Sequence, residues 1–239
     1  MKALRPYGHA RMCAAKSRLR SRADLLPLML AENAEGKRRA LQTIGIERDQ
    51  PLFPQLFARL MKFYQTAIDA YHDDAHIFLA MLRLHELENL KLIWRAVTRS
   101  LPPDGWMPYW REVAFATLDP RTLRDASSVR DLAERLKRTP YAEIARRVAE
   151  AHGNDLAAAE LAFDQWGTAM LMREGLHSLA DARNAELKKR GPAALRAVIP
   201  VVKRRRRKAE LAPFSLHPAV SILLLAEDEL RNINRLAES

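Results

Sequence analysis

The stretch DDAHIFLAMLRLHELENLKLIWRAVTR, Asp73 to Arg99, decides the fold class of this 239-residue chain. Its apolar residues recur at helical spacing, and neither Gly nor Pro interrupts them. Asp73 or Asp74 sits where a helix start is capped, Arg95 and Arg99 suit the negative end of the helix dipole, and Pro102-Pro103-Asp104-Gly105 stops the run. At about 1.5 Å per residue such a helix extends about 40 Å. It is expected to be the spine of the fold.

The same spacing continues on both sides. Upstream, Tyr7 to about Ser21 reads as a helix with Met12, Ala15 and Leu19 on one face, and a short helix follows Asp24 as its N-cap. Gly45 and the Pro51 to Pro54 stretch break the pattern before Leu56, Leu60, Phe63, Tyr64 and Ala67 resume it. Downstream, Trp106 to Asp119 is aromatic-rich and irregular. Helices are predicted from Val129 to about Leu136 and from Tyr141 to about His152, the second capped by Thr139 with Pro140 in its first turn. A long helical pattern then runs through Leu161, Trp166, Met170 and Leu176 to Lys189, and a last helix runs from near Pro218 to about Leu236. No strand of useful length is predicted, so the fold class is an all-α helical bundle.

Composition agrees and narrows the function. Nearly half the residues are apolar (48%), which excludes a disordered chain, and only 8 Gly are present. The 40 Lys and Arg against 29 Asp and Glu give a net charge of +11, which points to an acidic partner or surface. A single cysteine, Cys13, cannot form an internal disulfide, so the cytoplasm is the expected compartment. The longest apolar stretch, around Val220 to Ala226, falls far short of the ~20 residues of a spanning helix. The basic N-terminal region is broken by Arg11, Lys16, Arg18, Arg20 and Arg22 and does not read as a secretion signal.

Three helices carry an acid followed three residues later by Asn: Glu86 with Asn89, Asp181 with Asn184, and Glu229 with Asn232. Residues three apart share a helix face, so each pair makes one polar patch. The first interrupts the stripe Leu82, Glu86, Asn89, Ile93, and the third interrupts Leu225, Glu229, Asn232, Leu236. A polar group on an apolar stripe needs a hydrogen-bond partner, and these pairs are candidates for clasps between helices and neighbouring backbone. The plainer reading is three chance pairs on solvent-facing surfaces. As clasps, they would make the chain a worn internal repeat of helical lobes.

Three blocks of sequence then resemble a known family. They are Tyr7-Gly8-His9-Ala10-Arg11-Met12-Cys13-Ala14-Ala15-Lys16-Ser17-Arg18-Leu19, Glu86-Leu87-Glu88-Asn89-Leu90-Lys91-Leu92-Ile93-Trp94-Arg95, and Leu223-Leu224-Leu225-Ala226-Glu227-Asp228-Glu229-Leu230-Arg231-Asn232-Ile233. In that order they resemble the family of the C-type subunit, also called the d-type subunit, of V/A-type (vacuolar/archaeal-type) ATPases. The resemblance implies a single all-helical domain over 1–239, funnel-like, with repeated lobes in a pseudo-threefold arrangement. The chain is short for the family, which implies that one lobe is reduced. The function implied is a non-catalytic central-rotor connector of a V/A-type ATPase or ATP synthase. Its partners would be the central stalk and the membrane proteolipid ring, on the cytoplasmic face, in proton or sodium transport without a cofactor or small-molecule substrate.

Outside those blocks, the run Lys203-Arg204-Arg205-Arg206-Arg207-Lys208 dominates a basic linker at about 200–217 and supplies six of the eleven excess positive charges. It suits an anionic membrane surface or the ring face, and equally a solvated loop. It also carries the alternative function, a basic helical nucleic-acid-binding protein. His72 and His76 have the spacing of two metal ligands on one helix face, but no third ligand is evident, so no metal site is expected. Cys13 has no evident partner His and reads as a small packing residue. Trp94, Trp106, Tyr109, Trp110 and Trp166 read as core and lobe-junction anchors. With no phosphate-cradling Gly-rich loop, no catalytic residue is assigned.

Overall fold

The computed structural model describes residues 4–189 and 216–238, and among these every regular element is helical. The chain divides into two compact units, Met1–Phe78 with Val202–Ser239, and Leu79–Val201. None of the described helices is long and apolar enough to cross a membrane.

The first unit is built from α1 (Leu4–Lys16), α2 (Arg22–Met29), α3 (Ala34–Thr43), α4 (Leu52–Ala70) and the closing helix α12 (His217–Glu238). Met12 and Ala15 of α1 are buried as their spacing predicts. Gly8 lets α1 reach the end of α4, because a Cβ there would lie 2.8 Å from the Ala70 carbonyl oxygen and 2.9 Å from the Tyr71 ring. The start of α2 departs from the sequence expectation. Ser21 is the N-cap, and Asp24 is its reciprocal partner three residues on, accepting from the Ser21 amide at 2.7 Å. The reason is the extended backbone of Ser21, which aims its hydroxyl at the Asp24 amide. α4 buries Leu56, Leu60, Phe63, Tyr64 and Ala67, the stripe read from the sequence. One cluster of this unit's core joins Leu28, Ala40, Ile44, Ile46, Leu56 and Ile233.

A 3-10 turn over His72–Asp74 leads into α5 (Ala75–Thr98), whose first turn still belongs to the first unit. From Leu79 on, α5 belongs to the second unit with the one-turn helices α6 (Pro103–Trp106) and α7 (Pro120–Leu123), then α8 (Val129–Arg135), α9 (Ala142–Ala151), α10 (Leu156–Arg173) and α11 (His177–Lys189). The core of this unit gathers Leu87, Leu90, Ile93, Trp94, Trp106, Leu132, Tyr141 and Phe163, with the Trp94 and Phe163 rings edge to face, centroids 5.1 Å apart. Gly167 of α10 faces Leu84 and Leu87 of α5, where a Cβ would come within 3.1 and 3.0 Å.

Two further expectations are corrected. The single helix read from Leu161 to Lys189 is broken, because Glu174 ends α10 and Gly175 turns through φ +75° before α11 begins. The apolar spacing from Met170 to Leu176 survives that turn, so periodicity hid it. α9 starts at Ala142 without a side-chain cap, and the Thr139 hydroxyl instead accepts from the Tyr141 amide at 3.2 Å.

Candidate functional site

The first acid and asparagine pair sits at the centre of the second unit. Glu86 and Asn89 are 2% and 1% exposed on α5, and both face the irregular chain over 111–118. Backbone that is neither helix nor strand must satisfy its amides and carbonyls elsewhere. Asn89 does this for Arg111, with Oδ1 accepting from its amide at 2.9 Å and Nδ2 donating to its carbonyl at 2.8 Å. Glu86 Oε1 accepts from the Thr117 amide and from the Leu118 amide at 2.6 Å. The Thr117 hydroxyl lies 3.0 and 3.1 Å from the two carboxylate oxygens. The Tyr141 hydroxyl donates to Glu86 Oε2 at 2.7 Å. Burial, then the Glu86 charge and that hydrogen bond, push the Tyr141 phenol far above its ordinary range, so it acts as a fixed donor. Together these contacts turn the segment past Trp110 into a held loop.

On the same unit a charged cluster is buried between helices. Lys91 Nζ donates to Asp164 Oδ1 at 3.0 Å and to Glu88 Oε1 at 2.6 Å, while Arg183 Nη2 donates to the same Asp164 oxygen at 2.6 Å. Lys91 and Asp164 are 4% and 3% exposed, so each depends on the other for its charge to be tolerated. Burial pushes the Glu88 carboxyl up, but the Lys91 charge and hydrogen bond, with Arg111 and Arg183, outweigh it and hold it below the usual carboxylate value. In the middle pair, Asp181 is exposed and Asn184 half-buried. The cation that α11 brings to Asp164 is Arg183, which no sequence pattern singles out.

In the first unit the third pair splits. Glu229 of α12 accepts from the Arg20 amide at 3.1 Å through Oε2 and from Arg59 Nη2 at 3.3 Å through Oε1. Asn232 is exposed. Burial raises the Glu229 carboxyl above its ordinary value, Asp24 adds to the rise, and the Arg20 amide with the Arg59 and Arg20 charges offsets only part of it. Two residues earlier, Glu227 takes a hydrogen bond from the fully buried Tyr64 hydroxyl at 2.5 Å and pairs with Arg231 at 3.2 Å. Burial and the Glu227 charge hold that phenol well above its usual range.

The remaining candidates fall apart in space or outside view. Lys203, Arg204, Arg205, Arg206, Arg207 and Lys208 lie outside the described residues. His72 and His76 are exposed, and among the described residues no three His, Cys, Asp or Glu are placed to hold a metal ion. Cys13 is exposed rather than packed, with Sγ 3.5 Å from Nε2 of His9 one turn earlier, so a partner histidine is present after all. Tyr109 is 71% exposed and is not a core anchor, whereas Trp94 and Trp106 are buried.

Buried polar contacts of this kind shape and stiffen a helical scaffold. The comparison with curated proteins finds no match. A family model described as ATP synthase (C/AC39) subunit matches residues 9–189. That span contains most of α1 and all of the second unit's described helices, including the Glu86 to Arg95 block, and it stops before the Leu223 to Ile233 block. With a match over more than half its length, the chain belongs to the ATP synthase (C/AC39) subunit family.

Proposed function

We propose that this protein is the non-catalytic connector of the rotor in a V/A-type ATPase or ATP synthase, seating the central stalk on one side and the membrane proteolipid ring on the other. The family match over residues 9–189 carries the reading. A three-lobed, funnel-like arrangement that receives the stalk tip is part of the proposal, as is a seat on the cytoplasmic face of the membrane.

A connector of this kind transmits torque, so it must resist deformation under load. The loop fastened by Glu86 and Asn89 and the Lys91, Asp164 and Arg183 cluster supply that kind of stiffness, because each contact is directional and made to a buried side chain. The Lys203 to Lys208 run is assigned to anionic lipid headgroups or the ring face, where each cation near a membrane surface contributes ~1 kcal/mol.

Affinity purification of the tagged full chain from its native membranes tests the reading. Stalk and proteolipid proteins are expected in the eluate. A chain that elutes alone, or with nucleic acid that high salt strips away, would overturn it.

A further inference from the structure

Four cations of the first unit converge on one concavity. Arg18, Arg20, Arg59 and Lys62 line a cavity of about 430 Å³, a size in the ordinary range for small-ligand sites, with Ile44 and Phe63 in its wall. Folding accounts for two of them. Arg20 Nη2 donates to the Ile44 carbonyl at 2.7 Å, Arg59 Nη1 lies 3.4 Å from the same oxygen, and Arg59 pairs with Glu229. Arg18 and Lys62 are exposed and have no ion pair among the described residues.

The charges do not cancel. Glu229 is one carboxylate behind four cations, and the nearby Asp24 is engaged with Ser21 as part of the α2 cap. Arg20 Nε is buried with no hydrogen-bond partner. Burial, with the Arg20 charge beside it, lowers the affinity of Arg59 for its proton despite Glu229. Like charges held together at this cost, two of them already fixed in position by backbone contacts, form a preorganised receptor for negative charge.

We propose that this cavity binds a phosphate-class oxyanion, free or as the headgroup of a phospholipid, with Arg18 and Lys62 closing on it at the mouth and Arg20 and Arg59 forming its fixed base. The site stands apart from the connector reading and does not require it.

The full chain is titrated with inorganic phosphate at an ionic strength held constant with chloride, and is floated with vesicles of phosphatidylglycerol or of phosphatidylcholine. Two charge-removing variants accompany it: Arg18→Gln with Lys62→Gln, which changes only exposed side chains of the cavity, and a chain with Lys203 to Lys208 replaced by Gln. Melting temperatures confirm that both fold, and Arg18→Lys with Lys62→Arg should retain binding. A free-anion site gives saturable phosphate binding that weakens about tenfold or more in the cavity variant and is unchanged in the tract variant. A headgroup site gives no saturable phosphate binding, but flotation with phosphatidylglycerol vesicles that the cavity variant weakens about tenfold or more, beyond the loss that the tract variant shows from its own cations. Phosphate and vesicle binding that are absent, or that the cavity variant leaves unaltered, would overturn the proposal.

Discussion

Glu86-Leu87-Glu88-Asn89 in α5 and Glu229-Leu230-Arg231-Asn232 in α12 follow the same acid and asparagine spacing, yet they are used differently. In α5 both polar residues are buried and hold backbone of a loop. In α12 only the acid turns inward, to the Arg20 amide and the Arg59 side chain, and Asn232 stays in water. The difference comes from what surrounds each helix. α5 is covered on most faces, so both residues of its pair meet protein. α12 is amphipathic, with Leu223, Ala226 and Ile233 inward and its outer side open, so Asn232, three residues beyond Glu229, leaves the interface. Spacing puts two residues on one helix face, and the neighbours decide whether that face is interior.

The sharpest way to break this contrast is Glu86→Leu. It removes the acceptor from two backbone amides and the Tyr141 hydroxyl, and unsatisfied buried donors cost ~1 to 3 kcal/mol each. A loss of about 3 kcal/mol or more is expected in urea unfolding, with collapse of the near-ultraviolet signal from the packed tryptophans. Next, Asn89→Leu should cost ~1 to 3 kcal/mol, since both polar groups of Arg111 lose their partner. Unchanged unfolding in either variant would place those residues outside the interior.

The carboxylates of the two units should also respond to pH in opposite directions. Glu229 has a raised value in the folded state, so the stability it provides relative to Gln is complete below the ordinary carboxylate range and declines as pH rises through the raised value. Glu88 has a lowered value, so its advantage over Gln is complete above the ordinary range and declines as pH falls through the lowered value. Comparing Glu229→Gln and Glu88→Gln with the parent across acidic pH should give slopes of opposite sign. Parallel slopes would contradict the assignment of burial as dominant at one site and of cationic neighbours at the other. The smallest effect belongs to Asn232→Leu, expected within about 0.5 kcal/mol of the parent.

The helical class was legible because periodicity persists through α1, α4, α5 and α12, and the pair Glu86 and Asn89 stood out as polar residues inside an apolar stripe. Their partners were not legible. Arg111, Thr117 and Leu118 lie in a stretch with no period, where contacts are set by the path of a loop. Arg20, Arg59 and Arg183 are three cations among 40 Lys and Arg, and nothing local separates a buried guanidinium from a solvated one. The break before α11 is hidden because Gly175 changes direction without disturbing the count of apolar residues. The proximity of His9 to Cys13, by contrast, is legible, because residues four apart on one helix are neighbours.

Coupling between nucleotide hydrolysis and ion movement is the property a rotor connector exists to provide, and it is measurable in membranes from cells with and without this protein. With the protein present, ATP addition should drive ion uptake into inverted vesicles in proportion to hydrolysis. Without it, hydrolysis by the head should continue while uptake is lost, and adding back the purified full chain should restore uptake. Uptake that persists undiminished in its absence would contradict the connector role.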